Sequence, residues 1–220
     1  MARLRSANYE DIQLGILAKA AELFGTKGYE RSSITDLTET CGLSRGALYH
    51  YFDSKEALLF VMLDAHVRGL LTRLETAVAE GGMPVAQIAR AIEVVVHYNA
   101  GSPHEQVILL NDLASLAPRE QAVIVQLQQQ IVDLVADILM RLDHGGKITR
   151  STRKVYTMML FGIINYAHTW YDPAAGVKPA QLARMATELF LSGVRGAAVT
   201  AKAPLDVKVV TPLRRRSGQR

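Results

Sequence analysis

An all-α architecture of about nine helices accounts for this 220-residue chain. No stretch alternates apolar and polar residues for long enough to make a half-buried strand. Glycine, proline and serine clusters cut the sequence into helix-length pieces. Within the pieces, apolar residues recur three and four positions apart, the period of a helix with one buried face. A hydrophobic content of 49% with 21% charged residues agrees with a chain that buries a sizeable core.

The elements follow in order. Ile12, Ile16, Ala20, Leu23 and Phe24 share one face of a first helix over 11–27, and Gly28 suits the left-handed residue that ends it. In "RSSITDLTETCGLS", Ser33 with Asp36 three residues on forms a capping box. It opens a short second helix that ends near Cys41. Gly42 supplies a tight turn, and Ser44 caps a third helix over about 45–52. Asp53 and Glu56 make a further capping pair, opening a long fourth helix that stops at Gly81 and Gly82. Helices over 84–100, 103–116 and 118–142 each begin at or beside a proline. The last two, 151–171 and 179–199, are separated by "DPAAG". The expected organisation is an N-terminal domain over 1–60, a larger helical domain over 61–199, and a disordered basic tail over 200–220. That tail has prolines, charge and little periodicity.

Charge and composition exclude several classes. No apolar run approaches the ~18–20 residues a membrane span needs, so no membrane partner is expected. The beginning, "MARLRSANYEDIQLG", turns acidic where an export signal would be apolar. The single Cys41 fits a reducing, cytoplasmic setting and a small packing residue. The formal charge of +4 and pI near 9.2 mislead about function. Residues 201–220 hold six Lys or Arg against one Asp, and 1–55 hold seven basic against seven acidic residues. A nucleic-acid reading therefore rests on where individual cations stand, not on net charge.

The stretch "CGLSRGALYHYFDSKEALL" puts them in one place. Three short helices with a turn of about four residues around Gly42 make a helix-turn-helix, whose later helix enters the major groove of DNA. Leu48 and Phe52, four apart, hold that helix down. Arg45 suits guanine O6 and N7, and Gly46 removes bulk where backbone nears DNA. Tyr49 can touch a thymine methyl and a phosphate, while His50 and Tyr51 can donate to phosphate. Ser33, Thr35, Ser44 and Lys55 stand near helix N-termini, which favour phosphate. Arg3 and Arg5 are either a minor-groove arm or a frayed end.

These residues, with "ILAKAAELFGTKGYERSS" before them, resemble the DNA-binding domain of TetR-family transcriptional repressors over about 12–63. The resemblance implies a homodimer on a palindromic double-stranded DNA operator, repressing until a small molecule binds the C-terminal domain. Arg45, Gly46, Tyr49, His50 and Lys55 fall where family members contact DNA.

In the larger domain, "TMMLFGIINYAHTWYDP" and "LARMATELFLSGVRG" are two long apolar helices with small residues at Gly162, Ala167, Ala183 and Gly193. The resemblance implies that they pair with their copies as a four-helix bundle; two ordinary core helices are the alternative. "LLNDLASLAPREQAVIVQLQQQIVDLVADIL" and the "HTWYDP" corner resemble a TetR subgroup sensing acyl-CoA thioesters of fatty-acid or phenylacetate breakdown. Such a ligand needs an apolar tunnel and cations for its phosphates. His97, Tyr98, Asn111, Asn165 and His168 are polar residues in apolar helical stretches, candidates for ligand contacts or for satisfied core positions. Arg68, Arg73, Arg90 and Arg141 are candidates for the phosphates. A hydrophobic effector without CoA, as for an efflux repressor, is the alternative ligand. A constitutive DNA binder would not need some 140 residues of extra helical domain. No HExxH, P-loop, GxSxG or paired Cys/His spacing marks an enzyme, a cofactor or a metal site.

Overall fold

The computed structural model describes residues 2–143 and 146–196, with side chains described from Tyr9 to Val194 apart from 144 and 145. Every regular element among them is helical. They are α1 (Ala2–Lys27), α2 (Ile34–Cys41), α3 (Arg45–Tyr51), α4 (Lys55–Ala79), α5 (Pro84–Gly101), α6 (Pro103–Asn111), α7 (Pro118–Leu142), α8 (Arg153–Asn165) and α9 (Pro179–Gly196). Short 3-10 turns cover Leu113–Ser115, Tyr166–Thr169 and Pro173–Ala175. The basic tail and the side chains of Arg3 and Arg5 lie outside the described residues.

α1, α2 and α3 close around Phe24, Leu37 and Leu48, each at most 2% exposed. The 25-residue α4 carries this core into the second domain: Leu58, Leu59, Leu70 and Leu74 are buried along it, and it packs on α1 as well as on α5, α6 and α7. α8 packs on α7, and α9 covers α5. One contiguous core results, so a shift of α4 is felt at both ends.

Several boundaries differ from those expected. α1 begins at Ala2 rather than at residue 11, because "ARLRSANYED" has no breaker and its residues are adequate helix formers despite a weak apolar period. α4 is capped by Ser54, whose Oγ accepts from Ala57 N at 3.0 Å, not by Asp53. α6 ends at Asn111 and passes into a 3-10 turn, where Asn111-Asp112 compete with the helix for backbone hydrogen bonds. α8 leaves α geometry after Asn165 and tightens into the 3-10 turn Tyr166–Thr169, which closes with Trp170 N donating to Ala167 O at 3.1 Å. α7 is long and apolar enough by length and composition to cross a membrane, contrary to the expectation that no segment would be. Its Gln126, Gln129, Gln130 and Asp137 form an exposed polar side, while Ile124, Ile131 and Ile138 are buried against neighbouring helices.

Candidate DNA-binding surface and effector cavity

The turn between α2 and α3 is built as its residues require. Ser33 Oγ accepts from Asp36 N at 3.1 Å, and Asp36 Oδ2 accepts from Ser33 N at 2.7 Å and from the Ser33 hydroxyl at 2.8 Å. Lys27 Nζ stands 2.6 Å from the same oxygen. The hydrogen bond from Lys27, then those from Ser33, hold the Asp36 carboxyl well below the usual carboxylate range. Gly42 turns the chain at φ 68°, a conformation costly for any residue with a Cβ. Ser44 Oγ then accepts from Ala47 N at 3.2 Å and starts α3.

Leu48 and the C-cap Phe52 are buried, while Arg45 and Tyr49, which flank that apolar side, and Gly46 and His50, which oppose it, are exposed. The Arg45 guanidinium lies 5.6 Å from the centre of the Tyr49 ring. Among the described residues, nothing lies within 4 Å of where a Cβ on Gly46 would stand. Thr35 is exposed at the start of α2. Tyr51 is half-buried and stacks on Tyr9 of α1, ring centres 4.7 Å apart, with His50 edge-on to both rings. Tyr9 was not singled out in the sequence because it precedes the expected start of α1.

Lys55 has internal partners. Its Nζ donates to Tyr29 O at 3.2 Å and Ser32 O at 3.1 Å, and sits 4.1 Å from the Tyr29 ring centre. The ammonium thus ties the α1–α2 connection to the first turn of α4. Lys55→Met is expected to lower stability by about 1–2 kcal/mol in denaturant titration. The salt dependence of operator binding separates the two roles: a slope reduced by about one per half-site means a phosphate contact, an unchanged slope an internal strut.

A cavity of about 200 Å³ lies among α4, α6, α7 and α8. Its walls are mostly aliphatic, and its polar groups are His66, Gln106, Gln128 and Asn165, with no Asp, Glu, Lys or Arg among the described residues. His66 and Gln106 are 4% and 3% exposed and face each other at 3.5 Å, a long contact that a ligand atom can replace. Burial pushes the His66 imidazole below its usual value near 6.5, against smaller opposing effects of Gln106 and Glu105. The unfolded chain therefore binds the proton more readily, and stability present above pH 6.5 falls as pH is lowered through that region. The melting temperature of the unliganded protein is expected to drop on acidification below pH 6.5, and to drop less in His66→Gln.

Of the expected ligand residues, only Asn165 lines this cavity. Tyr98 stands behind it, donating from its hydroxyl to His66 O at 2.9 Å with its ring 5.0 Å from the imidazole. His97 is exposed beside Glu93 in an open groove. Asn111 is exposed and bonds back to Val107 O. His168 lines a neighbouring cavity with Asn165. His66 and Gln106 were missed; their signal is a polar residue on the apolar stripe, as where His66 stands four after Met62 and four before Leu70. The arginines are engaged elsewhere: Arg68 on Asp64, Arg73 on Gly69 O and the Tyr98 ring, Arg90 on carbonyls of Ala77 and Gly81, and Arg141 on Gln87.

α6 connects this cavity to the first domain. One side supplies Gln106, Leu109 and Leu110 to the cavity, while the other packs on α1. The approach is close at Gly25, where a Cβ would fall 2.8 Å from the Cβ of His104. Beyond α6, Ser115 Oγ donates to Glu30 Oε1 at 2.9 Å.

Comparison with known proteins covers both parts. Residues 16–62 match the family described as bacterial regulatory proteins, tetR family, and residues 81–194 match the tetracyclin repressor-like C-terminal domain. The chain is 35% identical over 80 residues to an uncharacterized HTH-type transcriptional regulator, YuxN, of Bacillus subtilis; this is 36% of the chain and 28% of that protein's length. A TetR-family transcriptional regulator from Bordetella parapertussis superposes with a TM-score of 0.81 at 33% identity, over 85% of this chain and 97% of the other. AibR, in complex with isovaleryl coenzyme A and operator DNA, shares the fold with a TM-score of 0.73 at 22% identity, over 81% and 97%.

Proposed function

For a chain that belongs to the TetR family of transcriptional regulators, and is therefore not an enzyme, we propose a homodimeric repressor released from a palindromic operator by an effector in the α4–α8 cavity. In each protomer, α3 enters a major groove with Arg45 and Tyr49 toward base edges. Ser33, Thr35, Ser44, His50 and Tyr51 serve the phosphates, and Gly46 permits close approach. Lys55 joins them if its third N–H reaches a phosphate. The dimer forms through α8 and α9. What supports this is an exposed apolar stripe of Val155, Met159, Ile163, Tyr166 and Trp170 at spacings of three and four, beside Met185 and Leu189 on α9. A face so apolar is one a partner covers.

The observation that carries the regulatory reading is α6, lined by the cavity on one side and braced on α1 by the other. A ligand that moves α6 changes the seat of α1 and with it the spacing of the two α3 helices. A preference of about 10²-fold for the released spacing contributes ~2.7 kcal/mol against operator binding.

The effector is a CoA thioester with a short or aromatic acyl group. A cavity of about 150 Å³ holds benzene, so about 200 Å³ suits a group of that order. AibR, of the same fold, takes isovaleryl coenzyme A. The uncharged lining also favours a second reading, a wholly neutral hydrophobic effector, because among the described residues no cation lines the cavity to meet phosphate. An operator-release assay with free CoA, isovaleryl-CoA, phenylacetyl-CoA and neutral alcohols of matching size decides between them. Release by thioesters alone supports the first, release by alcohols the second. Release by none removes the effector reading.

A further inference from the structure

A second cavity of about 230 Å³ lies next to the first, among α5, the end of α8 with its 3-10 turn, and α9. Its walls include Val96, Ala100, Ile164, Ala167 and Leu182, and its polar side chains are Asn99, Asn165, His168 and Tyr171, again with no formal charge among the described residues. Asn165 lines both cavities. The seam between them is an amide pair: Asn99 Nδ2 donates to Asn165 Oδ1 at 3.2 Å. The reciprocal bond is not made, and Asn99 Oδ1 is buried with no partner.

We infer that the Asn99–Asn165 pair is a size gate, and that the second cavity is an extension chamber for the uncharged chain of an effector too long for the first. Two facts make the seam weak. A half-satisfied buried pair has an orphaned oxygen that gains from rearrangement. Both amides also stand where helices end: Asn99 two residues before the last residue of α5, and Asn165 at the last α-helical residue of α8. Beyond Asn165 the chain is 3-10, held by His168 Nδ1 donating to Asn165 O at 2.7 Å. Such a turn is less firmly bonded than an α-helix and adjusts at lower cost. A chain entering from the His66 side displaces the Asn165 amide and continues toward Ala167. The occupant is uncharged and largely aliphatic because the described lining of the chamber offers no ionic partner.

This rests on the effector reading above, and a chain-length series separates the two. The probes are straight-chain acyl-CoAs from butyryl to decanoyl and, for the wholly neutral source, straight-chain alcohols from butanol to decanol. Binding is read by calorimetry and by operator release, and the class that binds identifies the source. In the unmodified protein, affinity is expected to rise about fourfold per methylene, from burial of each CH₂, beyond the length that fills the first cavity. Ala167→Leu narrows the extension chamber without touching the first, so the rise stops earlier while butyryl or butanol affinity is retained. Ala100→Leu narrows the same chamber from α5 and serves if Ala167→Leu fails to fold. Asn99→Ala opens the seam and favours long chains over short by a further severalfold. An unmoved length limit in a folded filling variant overturns the gate and leaves the effector reading intact. No binding by any member to the unmodified protein overturns both.

Discussion

Leu189→Asp is expected to leave a folded 24.1 kDa monomer that binds the operator about 10²–10⁴-fold more weakly. Leu189 is 69% exposed on α9, so within one protomer the change removes little packing. Across a paired α8–α9 face, two introduced carboxylates meet apolar surface around Met185 and Met159 and must be desolvated without partners. The loss in DNA binding arises from chelation. In a dimer the second α3 is delivered to its half-site at high effective concentration, and a monomer forfeits that gain. Sedimentation with a palindromic upstream fragment is the direct measurement. A dimer that survives Leu189→Asp with unaltered operator affinity places the interface elsewhere.

Arg45→Ala is the second large effect. With a bidentate contact to guanine in each half-site, the loss is about 1–3 kcal/mol per site, and discrimination relaxes at one base pair of each half-site. The protein stays folded, because Arg45 is exposed and its guanidinium lies against the Tyr49 ring, 5.6 Å from its centre, rather than in the core. The helix itself is held by Ser44 and Leu48, which the substitution does not touch. Uniform weakening across all operator sequences, with a reduced salt slope, would assign Arg45 to phosphate instead.

The first domain was legible at residue level because its determinants are local. The Ser33–Asp36 box, the left-handed Gly42 and the Ser44 cap each operate within four residues, and all three stand as the spacing predicts. Short-range rules failed where two of them competed. Asp53 and Ser54 both suit a helix start, and the structure caps α4 with Ser54. They also say nothing of the internal partners of Lys55, whose ammonium bonds carbonyls 23 and 26 residues away.

The cavity was far less legible. His66 and Gln106 are 40 positions apart, and each looks like an isolated polar residue on an apolar stripe. Tyr98 stands in the sequence as a candidate like Asn165, yet its hydroxyl holds the His66 backbone from behind. Arg90 and Arg141 resembled phosphate ligands until packing tied them to the carbonyls that end α4 and to Gln87.

Helix content, the cap chemistry and the exposed face of α3 were thus settled by spacings of three and four residues, which a linear chain states openly. Which polar groups face a void, which arginines are already engaged, and that Asn165 stands between two cavities were settled by packing. Those facts depend on α4, α5, α6, α7 and α8 meeting at one place. No periodicity encodes that meeting, because each helix satisfies its own pattern before it has a neighbour.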